Sequence, residues 1–395
     1  MLSQISVWNQ CSGLRTPPVD GFGVKLTQML LKLTILPGDG IGPEVTEQAI
    51  LVLQAVAAAF GHDLKLQRKN IGGAALTAAN DPLPPDTIQA CLSSSAVLLG
   101  AVGSPAFDHY PNHLRPEAGL LRLRRELGAY ANLRPAICFP ALEDCSPLQA
   151  DLVRGTDIMI VRELLGGLYF GDPRSITGAP GARIATNTMT YGEPAIERIA
   201  RVAFDLALKR RQKVLSVDKA NVLECSRLWR EVVTRCAKDY PGVQLSHMYV
   251  DSAAMSLVQH PKDFDVILTE NMFGDILSDQ AGGVVGSLGL LASASIGGPV
   301  GVYEPVHGSA PDIAGKGIAN PLGAILSVAL LLRHSFQLET EAACIENAVS
   351  AVLNRGSRTA DLVRAAETLT TTSGMGHQVV EAVQELADVA KRKSA

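Results

Sequence analysis

The sequence predicts an α/β protein with a largely parallel sheet, organised in two domains. Predicted strands and helices alternate from about residue 33 onward, which is typical of parallel strands joined by helices. The 395 residues exceed what one ordinary hydrophobic core accommodates. No internal repeat or low-complexity tract interrupts the alternation.

The elements follow in order along the chain. The apolar LTILP at 33–37 predicts a buried strand, and the amphipathic segment 43–60 predicts the helix after it. The same criteria give strands at 96–103, 155–164, 213–219, 245–251 and 264–270, and helices at 118–128, 193–211, 274–285, 321–334, 338–353 and 359–368. Residues 171–191 break the alternation, and their Gly, Pro, Thr and Arg content predicts a protruding hairpin or arm.

Charge, hydropathy and cysteine spacing indicate which partners and which compartment to expect for this protein. A net charge of −4 gives no reason to expect nucleic acid or an anionic membrane as partner, and apolar runs such as 324–332 are too short to span a bilayer. The seven cysteines are scattered without a CxxC pair, which indicates reduced thiols in the cytoplasm. Residues 1–31 lack both an apolar signal core and a basic transit pattern, so we expect a disordered or loosely packed N-terminal extension.

A glycine-rich turn, G-D-G-I-G at 38–42, connects the first predicted strand to the first predicted helix. A strand, such a turn and a helix N-terminus often hold a dinucleotide phosphate. The G-x-G-x-x-G fingerprint is not met, because the third glycine comes one residue early and the next strand ends in basic residues. A tight turn that needs the positive φ of glycine is the simpler explanation, so the turn alone does not locate a cofactor.

Three arginines lie where a substrate could bind, Arg124, Arg134 and Arg162. The guanidinium fork matches a carboxylate at two points, so three of them suggest a di- or tri-anionic substrate. Each taken singly could equally be an ordinary surface arginine. Leu120 and Leu121, in the helix that carries Arg124, would normally belong to the core.

Paired carboxylates form a second candidate site. Asp275 and Asp279 are spaced i, i+4, so they lie on one face of a helix about 6 Å apart. Such charges repel unless a cation lies between them, and carboxylates select Mg²⁺ or Mn²⁺. Asp251, at the end of another predicted strand, is a third acid. The alternative is an acid favoured by the helix dipole at 275 and a solvated one at 279.

A long loop at 304–321, dense in small residues, forms a third candidate site. Small residues let the backbone approach a nucleotide, and Asp312 could accept hydrogen bonds from ribose hydroxyls, although a plain connecting loop explains the composition as well. Lys219 follows a buried strand, where a lowered pKa would make it a base, and the Tyr169 phenol could return a proton. Either could also be a structural or surface residue.

Seven motifs occur in one order: PGDGIGPEV, EAGLLRLR, ANLRP, IVRELLGGLYFG, VDKANVL, ENMFGDILSD and HGSAPDIAGKGIANP. From Leu33 to near the C-terminus the chain therefore resembles the β-decarboxylating dehydrogenases, and within them the isopropylmalate branch. The resemblance implies an α/β, two-domain isopropylmalate/isocitrate dehydrogenase-like fold with a central mixed sheet, not a Rossmann fold. It implies a cofactor-side domain at 32–129 plus 286–395, and a second domain at 130–285 that carries the dimer interface and the arm at 171–191.

The resemblance also implies roles for individual residues. Substrate contacts are expected at Glu117, Leu120, Leu121, Arg124, Arg134, Arg162 and Asp251. Tyr169 is expected to be the acid and Lys219 the base, while Mg²⁺ or Mn²⁺ is expected at Asp251, Asp275 and Asp279. Lys219 and Asp251 would come from the partner subunit of a homodimer. NAD contacts are expected at Asn221, Val222, His307, Gly308, Ser309, Ala310, Asp312, Ile313 and Asn320, and Asp312 and Ile313 match the relatives that use NAD instead of NADP.

The apolar pair Leu120–Leu121 with Glu117 nearby suits an isopropyl group, whereas isocitrate-type relatives have serine at position 118 and asparagine at 120. The expected reaction is oxidative decarboxylation of (2R,3S)-3-isopropylmalate to 4-methyl-2-oxopentanoate with reduction of NAD⁺, in leucine biosynthesis. Ala118 departs from the commoner threonine, and one or two CH₂ groups contribute only about 1–3 kcal/mol, so related 2-alkylmalates could also react. The alternatives are a relative acting on D-malate, tartrate or homoisocitrate, and an inactive regulatory paralogue.

Overall fold

The computed structural model describes residues 28–363 and 368–394. Residues 1–27, and with them most of the predicted N-terminal extension, lie outside the described residues. Residues 30 and 31, which that prediction placed in the extension, belong instead to the first strand. Leu31 is fully buried there because it shares a strand face with Leu33 and Ile35.

Strands and helices alternate through the described residues. The strands are β1 (Leu30–Gly38), β2 (Asp63–Arg68), β3 (Ala96–Ala101), β4 (Ala131–Ile137), β5 (Asp157–Glu163), β6 (Ser175–Thr177), β7 (Ile184–Thr186), β8 (Lys213–Asp218), β9 (Gln244–Tyr249), β10 (Val266–Thr269), β11 (Ala292–Ile296), β12 (Gly301–Pro305), β13 (Ser357–Arg358) and β14 (Thr368–Leu369). The helices are α1 (Gly42–Phe60), α2 (Gly72–Ala79), α3 (Pro85–Leu92), α4 (Pro116–Glu126), α5 (Ala150–Val153), α6 (Glu193–Leu208), α7 (Glu224–Ala237), α8 (Val250–Gln259), α9 (Asn271–Val285), α10 (Leu322–Ser335), α11 (Glu339–Asn354) and α12 (Thr372–Ser394). The predicted α/β class is confirmed.

The chain divides into two compact units. The middle unit comprises Tyr130–Ile137 and Leu148–Val284. The terminal unit comprises the described residues up to Ala129, the segment Cys138–Pro147 and the described residues from Val285 onward. The domain prediction had placed Cys138–Pro147 in the second domain, but this segment groups with the terminal unit, where the Arg358 guanidinium donates to the Ala141 carbonyl at 2.6 Å.

In the terminal unit the strand order is β2-β1-β3-β12-β11. Its strands pair in parallel except β11 and β12, which are antiparallel. Leu123 of helix α4 and Leu127, directly after the helix, pack into a buried cluster with Leu36 of β1, Val97 of β3 and Val302 of β12. This packing fixes the helix that carries Arg124.

In the middle unit the strand order is β4-β5-β10-β8-β9. Strands β4 and β5 are antiparallel and the other pairs are parallel, so parallel pairing dominates in both units as predicted. Within the predicted arm, β6 and β7 form an antiparallel pair, on which Ile176 and Ile184 are 63% and 67% exposed.

Two predictions of secondary structure were wrong. The helix predicted at 359–368 is absent from the described part of that range, where 360–362 form a turn and β14 pairs with β13. The Thr359 hydroxyl donates to Asp361 at 2.6 Å, and such local side-chain bonds compete with a helix. Asp251 does not end a strand but lies in the first turn of α8.

Candidate active site

The carboxyl ends of β5 and β10 bring Arg162, Tyr169 and Asp275 together in the middle unit. Arg162 Nη1 donates to one carboxylate oxygen of Asp275 at 2.5 Å, and the Tyr169 hydroxyl donates to the other at 2.8 Å. The guanidinium carbon of Arg162 lies 5.6 Å from the centroid of the Tyr169 ring. Burial and the hydrogen bond to Asp275 raise the pKa of Tyr169 to about 12, so the phenol holds its proton at neutral pH.

Arg134 of β4 contacts the same helix face. Its Nη1 donates to the Ser278 hydroxyl at 2.7 Å and lies 3.3 Å from the carboxylates of both Asp275 and Asp279. Its Nε donates to the amide oxygen of Asn132 at 2.7 Å. Two buried arginines therefore face the paired acids of α9.

The paired acids fit a hard divalent cation. Burial raises the pKa of Asp279. The positive charge of Arg134 lowers this pKa, and repulsion by the Asp275 carboxylate raises it further. A bound cation would relieve the repulsion, and carboxylate oxygens are the ligands that Mg²⁺ and Mn²⁺ prefer. Within the described residues, no group of three or more His, Cys, Asp or Glu side chains could hold a metal ion. Asp251 therefore does not join Asp275 and Asp279 in one chain.

Lys219 and Asp251 form an ion pair of their own in the middle unit. The hydrogen bond from Lys219 lowers the pKa of Asp251. The Lys219 ammonium lies 6.0 Å from the centroid of the Tyr249 ring, at the end of β9. Asn221 and Val222 follow in the turn after β8, and Val222 is 62% exposed.

Helix α4 of the terminal unit carries the other predicted substrate contacts. Arg124 Nη2 donates to Glu304 of β12 at 2.8 Å, and both side chains are buried. Leu120 is partly buried against the core of the terminal unit, as expected of an apolar residue in this helix. Leu121 is half-buried and lies one helical turn from both Glu117 and Arg124, so these three share a face.

The loop after β12 holds His307 in a defined tautomer. Its Nδ1 lies 2.9 Å from the Gly308 carbonyl oxygen, so Nδ1 is the donor and Nε2 an acceptor. This Nε2 is shielded from solvent and has no hydrogen-bond partner among the described residues. Burial lowers the pKa of His307 and keeps the ring neutral. A buried acceptor of this kind fits a ligand that donates a hydrogen bond.

The rest of this loop leaves room for a ligand. A Cβ built on Gly308 or Gly317 would meet nothing within 4 Å, and Asp312 is exposed beside the half-buried Ile313. Ala310 adopts a positive φ of 39°, which is uncommon outside glycine.

Asn320 anchors the end of the loop. Its amide oxygen accepts a hydrogen bond from the Leu322 backbone at 3.0 Å, and its Nδ2 donates to Asp361, also at 3.0 Å.

The G-D-G-I-G turn packs against this loop and bonds to its backbone. The Ile41 N–H donates to the Ser309 carbonyl at 2.8 Å, and a Cβ on Gly40 would lie 1.9 Å from that oxygen. The Asp39 carboxylate accepts hydrogen bonds from the backbone of Gly73 at 2.9 Å, of Ala74 at 2.8 Å and of Gly103 at 3.0 Å. Asp39 thus caps the N-terminus of α2, and the tight-turn explanation of the motif holds.

The model of the isocitrate/isopropylmalate dehydrogenase family matches residues 32–379. The chain belongs to the isocitrate/isopropylmalate dehydrogenase family. As a member of it, the chain is a decarboxylating dehydrogenase, and the predicted fold is confirmed.

Individual relatives cover nearly the whole chain. A 3-isopropylmalate dehydrogenase of Priestia megaterium is 57% identical over 336 residues, which are 85% of this chain and 91% of that protein. One of Halalkalibacterium halodurans is 52% identical over 360 residues, 91% of this chain and 99% of that protein. The crystal structure of isocitrate dehydrogenase from Methylococcus capsulatus superposes with a TM-score of 0.79 at 36% identity, covering 90% of this chain and 99% of that one.

Sequence analysis of this family member missed the residues that support the site. They are Asn132, Asn271, Ser278, Glu304 and Asp361. An adjacent polar pair, Glu270–Asn271, at the junction of an apolar strand and a helix could have indicated one of them.

Every helix within residues 28–363 and 368–394 is too short or too polar to cross a bilayer.

Proposed function

We propose that this chain converts (2R,3S)-3-isopropylmalate to 4-methyl-2-oxopentanoate and CO₂ with reduction of NAD⁺, a step of leucine biosynthesis. The observation that carries the proposal is the cluster of two buried arginines, a proton-holding tyrosine and paired aspartates in the middle unit. Positive charge binds the dicarboxylate beside a proton donor. Relatives named 3-isopropylmalate dehydrogenase, at 51–57% identity, support the same substrate.

The side chains divide the work of binding and proton transfer. Arg124, Arg134 and Arg162 bind the carboxylates of the malate, and the partner subunit's Lys219 accepts the proton of the C2 hydroxyl. Tyr169 donates its proton to C3 as the bond to CO₂ breaks, since its raised pKa keeps that proton available until then. Leu120 and Leu121 line the isopropyl group beside Glu117.

Asp275 and Asp279 would hold Mg²⁺ or Mn²⁺ together with the partner subunit's Asp251. The metal ion, when bound, supplies Lewis-acid polarisation of the substrate oxygen at C2. The pairing of Lys219 with Asp251 apart from the Asp275 cluster supports a homodimer with shared sites. The exposed isoleucines of the arm support its role in the interface. We also propose a cytoplasmic location.

NAD⁺, which supplies the hydride acceptor when bound, would lie against the loop after β12. His307 Nε2 accepts a hydrogen bond from the nucleotide, and Asn320 holds the loop end. Asp312 accepts hydrogen bonds from the ribose hydroxyls and repels a 2′-phosphate. The backbone of Gly308, Ser309, Ala310 and Ile313 completes the contact, while Asn221 and Val222 lie beside the nicotinamide.

The test is NADH absorbance with the full chain, NAD⁺ and Mg²⁺, comparing 3-isopropylmalate with D-malate. We expect kcat/KM to be at least about tenfold higher for 3-isopropylmalate, because Leu120 and Leu121 offer apolar contact to an isopropyl group that D-malate lacks. A chelator should abolish the rate. Faster turnover of D-malate, tartrate or homoisocitrate would favour the related dehydrogenase, and inactivity toward all of them would favour a regulatory paralogue.

A further inference from the structure

We propose that Asn271 is a positioning residue, which couples the carboxylate-binding Arg162 to the loop that bears Tyr169. Asn271 is fully buried at the first position of α9, and its side-chain amide bonds to Arg162 and to the backbone of the loop. The inference deepens the proposed function and rests on it. Its consequence is that binding of the malate and protonation of C3 depend on one amide.

The oxygen of this amide fixes Arg162. Arg162 Nε and Nη2 donate to Asn271 Oδ1 at 3.0 and 2.7 Å, while Nη1 donates to Asp275. Two donors on one acceptor set the plane of the guanidinium, and the planar fork then has one orientation toward a carboxylate. Arg162 itself is 2% exposed, so solvent does not compete for these bonds.

The nitrogen of the same amide fixes the loop. Asn271 Nδ2 donates to the carbonyl oxygens of Leu164 and Gly166, both at 3.1 Å. These residues lie between the end of β5 and the short turn Gly167–Tyr169 that presents the phenol. From the other side, the buried Glu163 carboxylate accepts from the Gly166 N–H at 2.7 Å. The loop is therefore held through its backbone on both sides.

A purely structural role as a helix cap is already filled by another residue. The Glu270 carboxylate accepts hydrogen bonds from the backbone of Met272 at 3.1 Å and of Phe273 at 2.9 Å, which satisfies the start of α9. The Asn271 N–H donates to the Tyr191 hydroxyl at 2.9 Å. The side chains of Glu270 and Tyr191 satisfy the first N–H groups of the helix, so the side-chain amide of Asn271 is not needed as a cap and bonds to Arg162 and the loop instead.

The chain offers a matched control in Asn132. This asparagine is also fully buried, and its oxygen accepts from Arg134 Nε at 2.7 Å. It supports the other arginine of the cluster from strand β4. Asn132→Asp therefore places a new carboxylate beside Arg134 at equal burial, and it leaves the bonds from Asn271 to the loop intact.

The experiment measures NADH and CO₂ separately in the wild type and three variants. Asn271→Asp keeps an oxygen that accepts from Arg162. It replaces the Nδ2 donor by a second oxygen, which cannot donate to the carbonyls of Leu164 and Gly166. We expect KM for 3-isopropylmalate to rise, because a carboxylate then faces Arg162, kcat to fall about 10–100-fold, and fewer CO₂ than NADH to form initially, because the oxidised acid leaves before decarboxylation. Asn271→Ala should lower the same ratio and also raise KM about tenfold, whereas Asn132→Asp should raise KM and leave the ratio at one.

The ratio of CO₂ to NADH separates positioning from mere loss of folded enzyme, which lowers both products equally. A ratio of one in both Asn271 variants, with activity falling in step with the folded fraction seen by circular dichroism, would overturn the proposal. If Asn271→Asp does not fold, Asn271→Ala decides by the same ratio because it buries no charge. A wild type that forms no NADH from 3-isopropylmalate would refute the proposed function itself, a result distinct from either variant outcome.

Discussion

At the scale of single residues, the middle-unit site converges on Asp275. Its two oxygens accept hydrogen bonds from Arg162 and Tyr169, and Arg134 lies 3.3 Å away. A cation bound at this carboxylate competes with those donors for the same lone pairs. In the proposed function, metal binding and the orientation of Tyr169 would therefore be linked at this side chain.

Asp275→Asn should weaken the dependence on Mg²⁺ and reduce turnover. The amide keeps the shape but loses the charge that attracts a cation, so we expect kcat to fall about 100-fold and the half-saturating Mg²⁺ concentration to rise about tenfold. Magnesium titration of the rate measures both. Asp151→Asn, which removes a carboxylate 86% exposed in the same unit, is the control. Wild-type rates in Asp275→Asn would refute its role as a ligand.

Asp312→Lys should shift cofactor preference toward NADP⁺. The change replaces an exposed negative charge by a positive one, which removes repulsion of a 2′-phosphate and adds attraction. We expect the ratio of kcat/KM for NADP⁺ to that for NAD⁺ to rise at least about tenfold. Asp312→Asn removes only the repulsion and should give a smaller rise. An unchanged ratio in both variants would contradict the ribose contact.

Sequence reasoning found the charged residues of the middle-unit cluster but not their arrangement. Helical periodicity predicted the spacing of Asp275 and Asp279 directly. The bonds from Arg162 and Tyr169 join residues 113 and 106 positions apart, which no local pattern encodes. Asn271 escaped notice for the same reason, since its importance lies in four bonds to residues more than 100 positions earlier.

At the scale of elements, the turn at 38–42 and the loop after β12 act as one support. Gly40 adopts a φ of +56°, and its missing Cβ is the space that the Ser309 carbonyl occupies. The loop thus owes its position to a turn more than 250 residues earlier in the chain.

Gly40→Ala should therefore raise KM for NAD⁺. The new methyl group would displace Ser309, and we expect KM for NAD⁺ to rise about tenfold with a smaller change in KM for 3-isopropylmalate. Gly61→Ala is the matched control, because Gly61 has a φ of +79° but open space around it. It should lower stability by about 1 kcal/mol, measured by urea unfolding, without changing KM. Equal effects of both variants on KM would contradict the support.

Elements with strong periodicity were predictable, and the exceptions have local causes. Helix α1 was predicted within one residue, since apolar spacing and Pro43 mark its start. The wrong helix at 359–368 lies where threonine and aspartate side chains bond locally to one another, as Thr359 does to Asp361. Apolar content alone does not reveal such competition.

At the scale of the whole molecule, the seven ordered motifs predicted the family that the comparisons confirm. The chain on its own pairs Lys219 with Asp251 and leaves Asp275 and Asp279 among arginines and Tyr169. A sequence does not state which copy of a chain supplies each residue, and an experiment with two different copies assigns them.

Mixed dimers test the shared site. Tyr169→Phe and Lys219→Ala should each lower the rate of the homodimer about 100-fold or more. A heterodimer of the two, purified through different tags, should regain about half of the wild-type rate, since one of its sites combines the intact tyrosine of one copy with the intact lysine of the other. A heterodimer as inactive as its parents would show that each chain works alone.

The Asp39 carboxylate accepts hydrogen bonds from three backbone N–H groups, those of Gly73, Ala74 and Gly103. A redesign of dinucleotide preference that replaced this aspartate would remove the acceptor that holds the start of helix α2 and the backbone at Gly103. If Asp312 and Ile313 contact the ribose as proposed, substitutions that change the nucleotide preference belong at these two positions, and the glycine turn that supports the loop should be left unchanged.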